Sequence, residues 1–286
     1  MKIIKILSAI LSILFLISAF SGCREENGFP VTVGDTEITE PPKTVAALSE
    51  QAASAIYALG YKSYLVGAPA EFLNTEIKGV TNLGEAMFID FEAVYELSPD
   101  VLIIPAELTN SVKENLKARS IKTILLKTPT KYDEVAPYYA ALSKLFLGEE
   151  KYIEAYDPYI GENERIISET KASLSGNNKR VALFVEEGYV ATGDTIAGTA
   201  MERAGINNIA ATQTDYMMSL ADIKAADPEV IFCPEGLSET ILGADSYKEI
   251  TAVKNGAVYE VDAEALVYAS EGFAATLQSM SKYLLQ

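Results

Sequence analysis

Aromatic and methionine side chains in this sequence could form a surface on which a flat or bulky ligand packs. Such side chains are apolar and polarizable, and tyrosine adds a polar tip that can orient a guest. They belong to Met87, Phe88, Tyr189, Tyr216, Met217, Met218 and Tyr268, in or near the loops that follow expected strands. Met87 has a simpler interpretation as core filler, because methionine fits irregular gaps. The sequence therefore predicts a ligand-packing surface and leaves two roles open for Met87.

Two features of the composition exclude classes of function. The 286 residues include no histidine, which removes the commonest general base, the usual zinc ligand and the Ser-His-Asp triad. The usual pairings of a nucleophile with a base are missing. The formal net charge of −17 repels phosphate backbones and argues against nucleic acid as a partner. We expect a binding protein that is not an enzyme and has no cofactor of its own.

Acidic residues dominate the loops that would surround a ligand. The acids in or near these loops are Glu50, Glu71, Glu85, Glu107, Glu186, Glu187, Asp194, Asp215 and Glu235. Lys127 is the only basic residue among them, and the arginines fall elsewhere. An anionic ligand usually needs a guanidinium fork, so these loops suit a neutral or cationic guest. The alternative is that most of these carboxylates are simply solvated.

Alternation of short β-branched runs with helical patterns predicts the elements that position these residues. The expected strands are 45–48, 64–66, 101–104, 123–126, 181–185, 230–233 and 258–261, after a small hairpin at 29–39. The expected helices are 50–59, 91–97, 111–119, 196–204, 220–226 and 270–285. Strands separated by helices indicate parallel sheets built from right-handed crossovers, with ligands at the carboxyl ends of the strands.

The fold class is therefore α/β, with two Rossmann-like lobes, a ligand cleft between them and a long linking helix. An N-terminal lobe is expected at 29–131, a linking helical segment at 132–178 and a C-terminal lobe at 179–286. Apolar residues recur at helical spacing through the linking segment. Because Asp157 followed by Pro158 is typical of a helix start, we expect a kink or restart there.

The N-terminus predicts export and lipid attachment. Residues 1–22 combine two early lysines, a short apolar run and small residues, which is typical of a signal peptide. The apolar run is shorter than the ~20 residues of a transmembrane helix. Ser21-Gly22-Cys23 is similar to a lipobox, so Cys23 is expected to be lipidated and 23–28 to be a tether at the extracytoplasmic face of the cell membrane. The alternative is an uncleaved anchor. Cys233 is then the one remaining cysteine, which predicts no intrachain disulfide.

Four segments in order resemble the helical-backbone class of solute-binding proteins, which carry siderophores, cobalamin and heme. They are 41–48, 91–103, 227–231 and 252–259, and the similarity runs from about Phe29 to the C-terminus. The resemblance implies a monomeric substrate-binding lipoprotein that delivers a small molecule to an ABC permease and its ATPase. It also implies that one exposed acid in each lobe docks on the permease. Glu92 matches the first position, whereas Ala221 occupies the second with Asp222 beside it.

Within that class the sequence is most similar to the heme-receptor lipoprotein of iron-regulated surface uptake systems. The segment 84–87 matches the one whose methionine is an axial heme ligand, and 189–192 and Tyr216 match as well. Glu235 stands where the heme receptor has a histidine. The resemblance thus implies a metal complex held between Met87 and Glu235, with heme favoured by the likeness.

The acid-rich loops favour other occupants of the same cleft, namely a corrinoid or a cationic chelate. A second class of function also stays open at this point. It is a sensory or adhesive lipoprotein that keeps the binding fold but engages a protein partner, and the alanine at position 221 favours it.

Overall fold

The structure is a computed structural model that describes residues 28–73 and 77–286. The expected signal peptide, Cys23 and most of the expected tether lie outside the described residues. Within the described ranges, no helix combines the length and the hydrophobicity needed to cross a membrane.

The N-terminal half forms a five-stranded parallel sheet. Its strands are β3 (Val45–Ala47), β4 (Leu65–Ala68), β5 (Thr81–Asn82), β8 (Val101–Ile104) and β9 (Lys122–Leu125), in the spatial order β5-β4-β3-β8-β9. Its helices are α1 (Glu50–Ala58), α2 (Phe91–Leu97) and α3 (Asn110–Ala118). Every residue of β3 and β8 is buried, as expected of central strands that are covered on both faces.

Two antiparallel hairpins accompany this sheet. The first joins β1 (Val31–Val33) to β2 (Thr36–Ile38), as the sequence predicts, and the second joins β6 (Gly84–Glu85) to β7 (Phe88–Ile89). Short 3-10 turns lie at Lys62–Tyr64, Ala70–Phe72 and Tyr132–Glu134.

The C-terminal half repeats the α/β design. Its strands are β10 (Arg180–Glu186), β11 (Tyr189–Val190), β12 (Asn207–Asn208), β13 (Val230–Cys233) and β14 (Val258–Glu260). Its helices are α5 (Ile196–Arg203), α6 (Leu220–Ala226), α7 (Leu237–Gly243), α8 (Thr251–Lys254), α9 (Ala263–Tyr268) and α10 (Phe273–Leu284). Strands β12, β13 and β14 run parallel within the sheet, and β11 folds back antiparallel on β10.

A long helix, α4 (Val135–Ser173), links the two lobes. The predicted kink at Pro158 is wrong, because the helix continues through that residue and its one break lies at Gly148 (φ 77°, ψ 176°). Only glycine adopts that conformation without strain. The Gly28 carbonyl accepts a 2.9 Å bond from the Glu149 N–H and so caps the resumed helix. At Pro158 the missing N–H removes one helical bond, and the hydroxyl of neighbouring Tyr159 is tied to the C-terminal lobe.

Tyrosines of α4 fasten the C-terminal lobe where α9 gives way to α10. Tyr139 donates its hydroxyl to the Ala269 carbonyl at 2.6 Å, and Tyr159 donates to the Ser270 carbonyl at 2.6 Å. The two tyrosine rings stack with centroids 4.9 Å apart. A single apolar core runs from the first lobe through α4 into the second. The structure therefore has the predicted two lobes and linking helix, which hold a cleft between them.

Sequence patterns missed part of the C-terminal region. The closing helix expected over 270–285 is confirmed as α10 (Phe273–Leu284), but the preceding helix α9, which ends at Ala269 in a left-handed conformation (φ 44°), was not predicted. Helices α7 and α8 were also not predicted, since both are short, with seven and four residues. The Asp262 carboxylate, which accepts from the Ala265 N–H at 2.9 Å, caps α9 and is the signal that could have revealed it.

Candidate ligand-binding cleft

A cavity of about 510 Å³ opens between the lobes at the carboxyl ends of the sheets. It is lined by Glu50, Val185, Glu186, Tyr189, Asp215, Tyr216, Pro234, Glu264, Val267 and Tyr268. The structure thus gathers three of the predicted ligand-packing tyrosines, at 189, 216 and 268, around one space. The sequence analysis missed Glu264 and Val267, because helix α9 was not predicted.

The two lobes touch through hydrogen bonds at this cavity. Tyr268 of α9 donates its hydroxyl to the Glu50 carboxylate at 2.7 Å, and Gln51 donates its side-chain amide to the Tyr268 carbonyl at 2.5 Å. Glu50 is the first residue of α1, whose N-cap Ser49 accepts from the Ala52 N–H. The helix start therefore presents a carboxylate to the opposite lobe.

Burial and neighbouring acids raise the pKa of two cleft carboxyls, those of Glu50 and Glu264. Burial raises the pKa of Glu50, the Tyr268 hydrogen bond opposes that rise, and the charges of Glu264 and Glu71 add to it. The pKa of Glu264 is likewise raised by burial and by the neighbouring charge of Asp262. Burial also raises the pKa of the Tyr268 hydroxyl, which therefore stays a donor at neutral pH.

An anchored loop carries Asp215 and Tyr216 into the cavity. Both residues adopt left-handed backbone conformations (φ 58° and 60°), which is uncommon for residues other than glycine. The buried Thr192 hydroxyl accepts from the Tyr216 N–H at 3.1 Å, and the Asp194 carboxylate accepts from the Asp215 N–H at 3.0 Å. Thr192 donates to Asp194 at 2.6 Å, and that bond is the main reason for the lowered pKa of Asp194. Side-chain hydrogen bonds thus hold a strained loop in place.

Two glycines allow the chain to pass closely behind this loop. A Cβ atom at Gly198 would overlap the carbonyl oxygen of Thr192, and one at Gly193 would overlap the carbonyl oxygen of Ala211. The Thr192 carbonyl also accepts from Thr195, the N-cap of α5, so this segment has little room to shift.

Met87 and Phe88 lie at the tip of the β6–β7 hairpin on the N-terminal lobe. Their side chains are 84% and 77% exposed, so the core-filler interpretation of Met87 is wrong. The Glu71 carboxylate accepts from the Ala86 N–H at 3.0 Å and holds the tip in place. Exposed apolar side chains on a fixed hairpin form a surface that a bulky ligand could cover. Neither residue lines the cavity described above.

Glu235 lies on the opposite lobe beside a second cavity of about 590 Å³. Its lining includes Glu260, Asp262 and Glu264, and it shares Pro234 and Glu264 with the first cavity. The Glu260 carboxylate accepts from the Gly236 N–H at 2.8 Å and fixes the turn after β13. Met217 is 56% exposed and lies outside both linings. The described residues contain no group of three or more acids or cysteines arranged to hold a metal ion.

The prediction that Cys233 is a small buried side chain is confirmed, and the residue lies at the end of β13. It is a free cysteine whose pKa is raised to about 11, first by burial and then by the charge of Glu260. A thiol that is buried and protonated at neutral pH is unreactive.

The predicted docking acids lie in the first turns of α2 and α6. Glu92 is exposed at the second position of α2. Asp222 is exposed at the third position of α6, where its carboxylate accepts from the Ser219 hydroxyl at 2.5 Å. Ala221 occupies the position of α6 that corresponds to Glu92.

Comparison with known proteins places this architecture in a family. The family described as periplasmic binding protein matches residues 45–265, and this chain belongs to it. The crystal structure of the vitamin B12 binding protein BtuF of Vibrio cholerae superposes with a TM-score of 0.67 at 20% identity, covering 86% of this chain and 97% of that one.

Two relatives from Bacillus subtilis (strain 168) are similar over most of their length. The Fe(3+)-citrate-binding protein YfmC is 25% identical over 289 residues, which covers 91% of this chain and 90% of that protein. The uncharacterized ABC transporter substrate-binding lipoprotein YvrC is 26% identical over 251 residues, which covers 82% of this chain and 79% of that protein.

Proposed function

We propose that this protein is the substrate-binding component of an ABC importer that takes up an iron chelate or a metal macrocycle of the corrinoid or heme class. The observation that carries the proposal is the cavity between two α/β lobes, lined by residues of both, in a member of the periplasmic binding protein family. Ligands of open parallel sheets bind at the carboxyl ends of the strands, which is where this cavity lies.

The relatives support binding and delivery rather than catalysis. One is named for ferric citrate and another as an ABC transporter substrate-binding lipoprotein. These names favour transport over the sensory or adhesive alternative. The partners would be a permease, its ATPase and a small molecule, and the binding protein would act as a monomer.

The same relatives support the proposed location. The name of YvrC includes the word lipoprotein, in agreement with the lipobox-like sequence that ends at Cys23. We infer that residues 1–22 are removed, that Cys23 carries the lipid and that 23–28 tether the lobes outside the cell. Replacing Cys23 with alanine should release the protein into the medium or leave an uncleaved precursor. Processing and retention like those of the wild type would contradict lipidation.

A finer proposal concerns a metallated tetrapyrrole. Met87 on the hairpin tip and Glu235 after β13 lie on opposite lobes, and a ligand that spans the cleft would meet a soft donor and a hard one. Carboxylate favours ferric over ferrous iron, so affinity should fall on reduction. Phe88, Tyr189, Tyr216, Met217 and Tyr268 would pack against the macrocycle.

Heme titration followed by absorbance tests the tetrapyrrole proposal. Met87→Ala should weaken binding and shift the Soret band. Glu235→His should move the spectrum toward that of a methionine–histidine pair. If wild type and both variants show no Soret shift, heme is ruled out and a corrinoid or a ferric chelate remains.

Importer-coupled ATP hydrolysis tests the broader function. Purified protein loaded with ferric citrate, cobalamin or heme is added to its cognate importer in vesicles. One loaded form should stimulate hydrolysis above the unloaded protein. If none of the three ligands binds and none stimulates hydrolysis, the proposed function is contradicted.

A further inference from the structure

The cavity between the lobes carries negative charge without a compensating cation. Four of its ten lining residues are acids: Glu50, Glu186, Asp215 and Glu264. None of the ten is lysine or arginine. The adjoining cavity, which shares Glu264, adds further acids at 235, 260 and 262.

Basic side chains elsewhere in the described chain pair with acids outside this space. Arg165 binds Glu162 and Glu169 on α4, and Arg203 binds Asp133 and Glu164. Arg180 binds Asp227 and Glu229 at the opposite end of the C-terminal sheet. None of these arginines lines the cavity. These arginines therefore supply no positive charge to the cavity lining.

The cavity acids form no ion pair within the described residues. Lys127 lines a separate cavity together with Glu134. The charge of Lys131 helps to lower the pKa of Asp194, which does not line the cavity between the lobes. Ordinary solvated loop acids would also lack ion pairs. Glu50 differs from such acids because it is half-buried and bonded across the cleft to a tyrosine of the other lobe.

The Tyr268 hydroxyl is a neutral donor and leaves the charge of Glu50 uncompensated. An anionic guest would meet repulsion from four carboxylates, of which Glu50 is half-buried. A cationic guest would meet attraction instead, and the rings of Tyr189, Tyr216 and Tyr268 could add cation–π contacts. Charge and aromatic lining therefore favour the same class of ligand.

We propose that the transported solute carries a net positive charge and that Glu50 is the residue that selects it. In this proposal the cationic group of the solute approaches Glu50 and Glu264, and the Tyr268 hydroxyl occupies that position on Glu50 until the solute arrives. The inference rests on the proposed transport function and narrows its ligand to cationic chelates or corrinoids.

Pairs of probes that differ in charge but hardly in shape test the proposal. Ferrioxamine B carries a pendant ammonium group, and its N-acetyl derivative is a neutral molecule with the same ferric centre. Aquacobalamin is cationic at neutral pH, whereas cyanocobalamin is neutral. Ferric citrate and hemin supply anionic probes. Binding is measured by isothermal titration calorimetry at neutral pH and at two salt concentrations.

The cationic member of at least one pair should bind about tenfold more tightly than its neutral partner, a difference of ~1.4 kcal/mol. Added salt should reduce that preference. Glu50→Gln should abolish the preference, because the affinity for the cationic probe falls to that for its neutral partner. Glu114→Gln removes the same charge from the exposed face of α3 and should leave the preference intact.

Three results would overturn the inference. They are equal binding of the charged and neutral members in both pairs, a preference that survives Glu50→Gln, and tighter binding of an anionic probe than of every cationic one. In the last case the transport proposal still stands. If none of the probes binds, both proposals are contradicted, so failure of the charge proposal alone can be distinguished from failure of the transport proposal.

Discussion

Helices α2 and α6 occupy corresponding places in the two lobes, and their local sequences solve the same problem. Each has seven residues, begins at a side-chain cap and ends at a left-handed residue followed by proline. The end residues are Ser98 (φ 47°) and Asp227 (φ 46°), and a buried strand follows three residues later in both lobes. Proline after the last turn prevents the helix from continuing, which fixes the entry into the strand.

Acids that follow these prolines hold each sheet together in the same way. The Asp100 carboxylate accepts from the Lys43 N–H at 2.8 Å, just before β3. The Glu229 carboxylate accepts from the Arg180 N–H at 3.0 Å, at the start of β10. Both lobes therefore use the same helix-to-strand connection, and the positions at which they differ are informative about function.

The lobes differ at the second residue of the matched helices and on their cleft walls. Glu92 is free of any cap contact at that position, whereas the C-terminal lobe has Ala221 there and uses Asp222 within its cap. The N-terminal wall presents an exposed apolar hairpin tip at 87–88, and the C-terminal wall presents the hydrogen-bonded loop at 215–216. We infer that permease docking relies more on the first lobe and that the second lobe shapes the cavity.

The largest expected effect concerns docking. Glu92→Lys should lower ligand-stimulated ATP hydrolysis by the cognate importer by about tenfold, because a permease surface that is complementary to the carboxylate would repel the reversed charge. Glu96→Lys makes the same reversal one turn further along α2 and serves as the control. Asp222→Ala should have a smaller effect. Normal stimulation by Glu92→Lys in vesicles would remove the proposed asymmetry between the lobes.

A second prediction concerns stability, at the point where Gly198 packs against the Thr192 backbone behind the loop that carries Asp215 and Tyr216. Gly198→Ala should lower the free energy of unfolding by about 2–3 kcal/mol, since the new Cβ overlaps the Thr192 carbonyl and the backbone must move. Gly243→Ala, at the end of α7, meets no atom within 4 Å and should be close to neutral. Urea unfolding measures both. Equal stability of the two variants would show that the segment can relax.

Caps test the equivalence of α2 and α6. Asp90→Ala and Ser219→Ala each remove the side chain that accepts from the first turn, at 3.1 Å in both helices. Each substitution should lower the free energy of unfolding by about 1 kcal/mol. A substantial loss in one lobe with none in the other would break the structural correspondence.

The smallest effect is the dependence of stability on pH, and its sign should differ between the lobes. The folded pKa of Glu50 is raised above its ordinary value of 4.5, so the native state favours the protonated carboxyl. The protein therefore loses stability as pH rises from that ordinary value through the raised folded pKa. Glu50→Gln should therefore gain stability relative to wild type between mildly acidic and neutral pH.

Asp194 provides the opposite case. Its folded pKa is lowered below the ordinary value of 3.8, so its contribution is present above that value and is lost as pH falls through the folded pKa. Asp194→Asn should be less stable than wild type at neutral pH, and the difference should shrink in acid. Thermal unfolding across pH checks both variants, and the same sign for the two would contradict the assigned environments.

Sequence patterns predicted seven strands of the two sheets, because buried apolar runs such as 101–104 and 230–233 have few alternatives, but they missed the two-residue strands β5, β11 and β12. They failed where a single backbone torsion decides the outcome. The linking helix breaks at Gly148 and continues through Pro158. The break is capped by the carbonyl of Gly28, which lies far away in sequence, so local patterns could not reveal it. Composition also predicted an acidic cleft, but only the fold pairs Glu50 with Tyr268, which are 218 residues apart.

A fluorescent reporter tests directly whether the solute binds in the cavity between the lobes. The sequence contains no tryptophan, so Tyr189→Trp places a single indole at the cavity, and Tyr152→Trp places one on α4 outside its lining. Ferric citrate, ferrioxamine B, cobalamin and heme are titrated against both variants, with equilibrium dialysis as an independent measure of binding. A ligand that binds should quench the indole at 189 saturably and leave the one at 152 nearly unchanged. Binding by dialysis with equal response at both positions would contradict the account.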